Sequence, residues 1–272
     1  TASFDRMSAD QSFELVVVGG GNMGAALVGG LVAGDTVDRS ALAVVEPAAE
    51  RRADLVAMFP GLAVLDRIPV CRAAVVAVKP GTVDEVVRAV AAAGATRVLS
   101  VAAGVTTTAL EAAAGDGVAV VRSMPNTPAL VGAGVSAIAP GSGASDDDLA
   151  WAESILGGVG LVVRVAEHQL DAVTGLTGSG PAYLFLVAEA MIDAGVAVGL
   201  ARADVERMVA QLFVGSSALL ADRGDPASLR AMVTSPGGTT AAGLGVLEER
   251  AVRAAFQTAV RAATTRSREL GA

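Results

Sequence analysis

The stretch from Glu14 to Gly34 restricts the possible folds more than any other part of the chain. It reads ELVVV over Glu14–Val18, then Gly19-Gly20-Gly21-Asn22-Met23-Gly24, then the apolar run AALVGGLVAG. A short apolar run that enters G-x-G-x-x-G at Gly19, Gly21 and Gly24 and leaves as an Ala-rich apolar stretch reads as strand, tight turn and helix. Each glycine has its own physical task. The first turns the chain, the second lets a pyrophosphate approach the backbone, and the third lets the helix pack on the strand. In a chain with 32 glycines the motif alone is weak, so its context decides. A second apolar run, ALAVVEP, follows and ends at Glu46, where an acid can accept from a ribose hydroxyl.

The alternation continues beyond the motif. Strands are expected at Ala73–Val78, Arg97–Val101, Val118–Arg122, Ser136–Ala139 and Leu161–Val165, with helical periodicity over Val83–Ala93 and Asp146–Leu156. Strands alternating with helices imply an α/β fold, a Rossmann-type and mostly parallel sheet covered on both faces. Ligands of such sheets bind at the carboxyl ends of the strands. The glycine loop, Lys79-Pro80, Ala103-Gly104 and Met124-Pro125-Asn126 all fall there. Of the 20 lysines and arginines only Lys79 is a lysine, and its place at a strand end makes it a candidate to face the cofactor.

After about residue 166 the strand signals stop. Residues 13–166 are therefore expected to form a dinucleotide-binding domain and residues 167–272 an all-α domain. Helices are expected to start over Glu167–Thr174, to run from Pro181 to about Gly195 and over Asp204–Asp222, and to resume from Thr240. Their apolar faces suit burial against a second copy, so a homo-oligomer is expected. Between two helix-like segments lies Ser235-Pro236-Gly237-Gly238-Thr239-Thr240. It can be a Pro-Gly turn with a threonine N-cap, or a cradle in which free N–H groups at a helix start receive a carboxylate.

Composition narrows the partners. A net charge of −8 argues against a nucleic-acid backbone. One cysteine, Cys71, excludes an intrachain disulfide framework, and one histidine, His168, excludes a multi-histidine metal site, so no metal is expected. Cys71 reads as a packing residue and His168 as structural. No apolar run looks long enough for a membrane helix, since Glu189 and Asp193 break the one after Pro181. Residues 1–12 are polar, lack a signal-peptide pattern and read as a disordered extension; a soluble cytoplasmic protein is expected.

Taken in order, VVVGGGNMG (16–24), AVKP (77–80), SVAAGVT (100–106), RSMPNTPALVGAGV (122–135), DAVTGLTGSGPAY (171–183) and VTSPGGTTAAGL (233–244) resemble the pyrroline-5-carboxylate reductase family over residues 14 to 270. The resemblance implies a Rossmann domain, a helical domain that dimerises, and hydride transfer from NADPH, with NADH possible, to a cyclic imine that becomes L-proline. It implies that Gly19, Gly21, Asn22, Met23 and Gly24 hold the pyrophosphate and that Val78, Lys79, Pro80 and Ala103 line the cofactor. It further implies that Gly237, Gly238, Thr239 and Thr240 bind the substrate, with the Thr240 hydroxyl near the imine nitrogen.

Two alternatives compete. A 3-hydroxyacid dehydrogenase of the 6-phosphogluconate type shares the two-domain plan but needs a lysine on the interdomain helix, and no lysine follows Lys79. A dinucleotide-binding regulatory protein without catalysis would not need the substrate loop.

Overall fold

The computed structural model describes residues 12–271. Apart from Ser12, the polar extension read over residues 1–12 lies outside them. In chain order the elements are β1 (Phe13–Val18), α1 (Asn22–Ala33), β2 (Leu42–Val45), α2 (Ala49–Met58), β3 (Ala63–Leu65), β4 (Cys71–Val76), α3 (Val83–Ala92), β5 (Arg97–Ser100), α4 (Thr107–Ala114), β6 (Ala119–Met124), β7 (Gly134–Pro140), α5 (Asp146–Gly157) and β8 (Gly160–Arg164). Helices α6 (Leu170–Val173), α7 (Gly180–Ala197), α8 (Arg202–Arg223), α9 (Pro226–Met232), α10 (Thr239–Glu249) and α11 (Val252–Leu270) follow.

The strands form one sheet in the order β3-β2-β1-β4-β5-β6-β7-β8. Every neighbouring pair is parallel except β6 and β7. The fold is thus α/β with a mostly parallel sheet, followed by helices. The strands are runs of Val, Leu and Ala because both faces are covered. Along β1, Leu15 and Val17 join a core with Leu27, Val28 and Leu31 of α1 and Ile155 and Leu156 of α5. The intervening Val16 and Val18 join a second core with Val83, Val87 and Val90 of α3 and Leu110 of α4. That is the two-residue alternation of a strand meeting the 3.6-residue stripe of a helix. Cys71 is buried in this second core, and burial pushes its thiol up to about 11, which suits a packing residue rather than a nucleophile.

Helix ends are fixed locally. Thr106 caps α4 by accepting from the Ala109 N–H, and Ser145 with Asp148 forms a reciprocal capping box at α5. Asp148 also pairs with Arg97 at 2.7 Å, which ties α5 to β5.

The chain divides into two compact units, one running to Gly178 and resuming at Ala263, the other Ser179–Ala262. The first extends past residue 166 for a packing reason: Leu170 of α6 is buried with Ala137 and Ala139 of β7. The last turns of α11 belong to it as well, since the Ser267 hydroxyl donates to Asp171 at 2.7 Å. The helix start expected over Glu167–Thr174 is broken into a 3₁₀ turn, α6 and a π-helical turn at Thr174–Gly178.

In the second unit α7 and α8 pack closely enough that a Cβ at Gly195 would run into Val205. Yet α7 buries no residue and α8 buries only Val205 and Val209. Phe185, Leu186, Val214 and Met232 are each more than 60% exposed. One expectation is corrected: Glu167–Ala197 is a helical stretch long and apolar enough, by length and composition, to cross a membrane, with none of its apolar window buried. Glu189 and Asp193 interrupt the apolar run, as expected, but not the helix, since both fall within α7.

Candidate active site

The carboxyl ends of β2, β1, β4 and β5 lie side by side, so the loops that leave them share one edge. Backbone bonds continue past the strand ends and hold the loops together. The Gly19 N–H donates to Val45 at 2.8 Å, the Ala77 N–H to Val18 at 2.8 Å, and the Val101 N–H to Val76 at 3.1 Å. Along this edge stand Gly19–Gly24, Glu46, Val78, Lys79, Pro80 and Ala103. Strand β4 ends at Val76 rather than Val78, which leaves Val78 half-buried and Lys79 and Pro80 exposed in the loop. Ala103 is exposed as well.

The three motif glycines are distinguishable by what a side chain would meet. Gly19 has φ +105°, and a Cβ there would overlap the Ala77 carbonyl oxygen. A Cβ on Gly24 would collide with the Gly19 carbonyl oxygen, so that helix–strand approach needs glycine. A Cβ on Gly21 would meet nothing within 4 Å. Gly21 is the N-cap of α1 and no side chain caps that helix, so its first-turn N–H groups border open space. The cradle fits an anionic group such as a pyrophosphate. Asn22 is exposed beside it, while Met23 turns into the core under α1.

Glu46 is fastened to this loop. Its carboxylate accepts from the Gly20 N–H at 3.0 Å and from the Ala48 N–H at 2.9 Å. Arg51 donates from Nε to the Gly20 carbonyl at 2.7 Å, so Gly20 is held from both sides. Arg52 donates to the carbonyls of Glu46 at 2.9 Å and Pro47 at 2.7 Å.

In the second unit, Gly237 has φ +70° and turns the chain after Pro236. Gly238, half-buried, is the N-cap of α10, with its N–H donating to Ser235 at 3.1 Å. A Cβ on Gly238 would strike the Ser235 hydroxyl. The threonine-capped turn is therefore not what forms. Thr239 and Thr240 are the first two helical residues, and no side chain caps α10. Thr239 is exposed and Thr240 half-buried. Uncapped N–H groups next to two hydroxyls are suited to a small carboxylate.

Two clusters escaped the sequence reading because their partners are far apart in the chain. Asn126, buried, accepts from the Val135 N–H at 2.8 Å and donates to the Thr177 carbonyl at 3.1 Å, so it bridges the loop after β6 to the π turn. Glu167 accepts from the Thr107 N–H at 2.6 Å, the Thr107 hydroxyl at 2.6 Å and Arg122 at 2.9 Å. Burial acts to raise the Glu167 carboxyl, but the Thr107 bonds and the Arg122 charge outweigh it and hold it below its ordinary 4.5. A depressed carboxylate stabilises the fold above its unfolded value and loses that contribution as pH falls through its folded one. Glu167→Gln should cost about 1–2 kcal/mol at neutral pH, less than a fully buried pair because Glu167 is partly exposed. Urea unfolding should show the gap between wild type and variant closing below pH 4.5; a gap independent of pH contradicts this account.

A family model described as pyrroline-5-carboxylate reductase dimerisation matches residues 167–270, and one described as NADP oxidoreductase, coenzyme F420-dependent, matches residues 14–104. The pyrroline-5-carboxylate reductase of Synechocystis is 42% identical over 266 residues, covering 96% of this chain and 99% of its own. The solved pyrroline-5-carboxylate reductase of Coxiella burnetii superposes with a TM-score of 0.88 at 32% identity, covering 96% of this chain and 100% of that one. The Plasmodium falciparum pyrroline carboxylate reductase, solved with NADP bound, gives 0.81 at 28% identity, covering 96% and 98%.

Proposed function

The chain belongs to the pyrroline-5-carboxylate reductase family, and from that premise we propose that it reduces the cyclic imine of pyrroline-5-carboxylate to L-proline. The observation that carries this reading is that the likeness runs through both the glycine edge and the Ser235–Thr240 turn on one polypeptide. Bound NAD(P)H supplies the hydride; the NADP of the Plasmodium relative supports NADPH, and NADH is admitted.

The chain's own residues then have the following work. The uncapped start of α1 and Gly21 receive the pyrophosphate, while Val78, Lys79, Pro80 and Ala103 line the rest of the dinucleotide. Backbone N–H groups at Thr239 and Thr240, presented by the Gly237 turn and the Gly238 N-cap whose own N–H is bonded to Ser235, hold the substrate carboxylate and so fix which ring face is presented. The imine carbon gains the hydride and the nitrogen gains or keeps a proton. A protonated imine is already electrophilic, so a neutral Thr240 hydroxyl suffices to position the nitrogen and relay a proton from water. No lysine after Lys79 is needed, whereas the 3-hydroxyacid dehydrogenase alternative would require one. Such small-molecule chemistry suits a cytoplasmic enzyme.

The test is imine-dependent loss of NAD(P)H absorbance with pyrroline-5-carboxylate. Absence of turnover with either nucleotide overturns the proposal and favours a non-catalytic binder.

The helical unit belongs to a dimerisation region, and the protein is a homo-oligomer of at least two copies in this reading. The exposed Phe185, Leu186 and Val214 would each return about 1.5–3 kcal/mol if fully covered. Light scattering at micromolar protein should give at least twice the chain mass; a monomer would contradict it.

A further inference from the structure

We propose that Asn126 is a positioning residue for hydride transfer. Its side chain supplies the hydrogen bond that Pro181 cannot give to the π-helical turn Thr174–Gly178, and so holds that turn as a wall at the nicotinamide end of the cofactor edge. The role presupposes the reductase reading above and gives work to two motifs left idle by it, Met124-Pro125-Asn126 and the Gly-rich segment before Pro181.

In a helix each carbonyl accepts from the N–H four residues on. For Thr177 that residue is Pro181, which has no N–H. The Thr177 carbonyl instead accepts from Asn126 Nδ2 at 3.1 Å. The oxygen of the same amide accepts from the Val135 N–H at 2.8 Å. One partner only accepts and the other only donates, so a single orientation of the amide satisfies both. Asn126 is buried, and its loss would take these partners from the Val135 N–H and the Thr177 carbonyl together. The Leu170 and Val173 carbonyls, by contrast, receive the Thr174 and Thr177 hydroxyls at 2.8 and 3.1 Å from within their own segment.

The clamp stands at the working edge of the sheet. Ser100, the last residue of β5, lies opposite Arg122, so Ser123 and Met124 extend beyond the end of β5 on its carboxyl side. The loop leaving β5 there carries Ala103. With the pyrophosphate at Gly19–Gly24 over β1 and the adenosine ribose toward β2, the nicotinamide extends the other way, over the ends of β4, β5 and β6. The π turn lies against Met124, since a Cβ on Gly178 would stand 2.8 Å from the Met124 Cε. Met124 also packs with Leu170 and Val173 of α6. Such π turns inside helices recur at functional sites. Asn126 acts through this turn and Met124, not by touching the reacting atoms.

The experiment follows single-turnover oxidation of enzyme-bound NADPH by saturating pyrroline-5-carboxylate, with NADPH affinity measured alongside. Wild type, Asn126→Ala, Pro181→Ala and the double variant are compared. Asn126→Ala should lower the rate constant of hydride transfer about 10–100-fold, as a misplacement of about 1 Å does. NADPH affinity should stay near wild type, because the pyrophosphate is held at Gly19–Gly24. A merely destabilised protein would lose amplitude and keep the rate constant. Pro181→Ala puts an N–H at position 181, so the double variant should recover about tenfold over Asn126→Ala. An unchanged rate constant in Asn126→Ala, or a double variant as slow as Asn126→Ala, overturns the inference and leaves the reductase proposal standing. If Asn126→Ala is insoluble, the double variant measured against Pro181→Ala carries the test. A double variant that is also insoluble, or about tenfold slower than Pro181→Ala, then overturns it. No oxidation of NADPH or NADH by the wild type sinks the reductase reading itself, and this role with it.

Discussion

Gly24→Ala should lose nucleotide binding and melt early, whereas Gly21→Ala should lose nucleotide binding and melt normally. The contrast comes from where each Cβ would stand. On Gly24 it would sit within the Gly19 carbonyl oxygen, and both partners are backbone, so neither can rotate away. Helix α1 must then move off β1, at an overpacking cost of about 1–3 kcal/mol. The displaced first turn no longer aims its N–H groups at the pyrophosphate, and a misplacement of about 1 Å can cost 100-fold. On Gly21 the added methyl meets no protein atom within 4 Å, and Gly21 has an ordinary φ of −64°. The fold should accept it, but the methyl occupies the space through which the pyrophosphate reaches the backbone. Thermal unfolding and NAD(P)H titration of both variants separate the two effects. Wild-type nucleotide affinity in Gly21→Ala would show that the open space in front of α1 is not the cofactor cradle.

The same glycines mark what sequence can and cannot disclose. Gly19, Gly21 and Gly24 were legible because their tasks are local: turn, approach and packing all lie within a few residues. Strand β1 and helix α3 were legible because a short apolar run that enters a glycine turn and a Val83, Val87, Val90 stripe are both local signals. Strand β3 was passed over; its three half-buried residues at the sheet edge leave almost no pattern. The antiparallel direction of β7 depends on the loop around Asn126, whose partners Val135 and Thr177 are 9 and 51 residues away. Glu167 looks in sequence like any acid before a helix. Its role is set by Thr107 and Arg122, which are 60 and 45 residues distant. Glu46 is intermediate: its position after a strand suggested a ribose acceptor, but only folding reveals that the carboxylate is pinned to Gly20 and that both neighbouring arginines donate to backbone carbonyls of the same turns. Short-range rules supply the scaffold, and long-range bonds decide how charged groups on it are aimed.

Thr240→Ala should lower kcat/KM for the imine by about 10–100-fold while leaving nucleotide affinity nearly unchanged, as loss of one positioned donor does. The variant should fold, since Thr240 is the second residue of α10 and alanine is the better helix former. The main-chain N–H groups at the helix start survive the change, so carboxylate binding should persist and the loss should fall mainly on kcat. Thr240→Ser restores the hydroxyl without the methyl and should recover most of the rate, which separates hydrogen bonding from packing. A general acid elsewhere in the chain would predict the opposite pattern, with Thr240→Ala close to wild type. Steady-state kinetics on the three proteins, with NAD(P)H binding measured alongside, decides between them. Wild-type turnover in Thr240→Ala would remove Thr240 from the chemistry and reduce the Ser235–Thr240 turn to a carboxylate clamp made by the backbone alone.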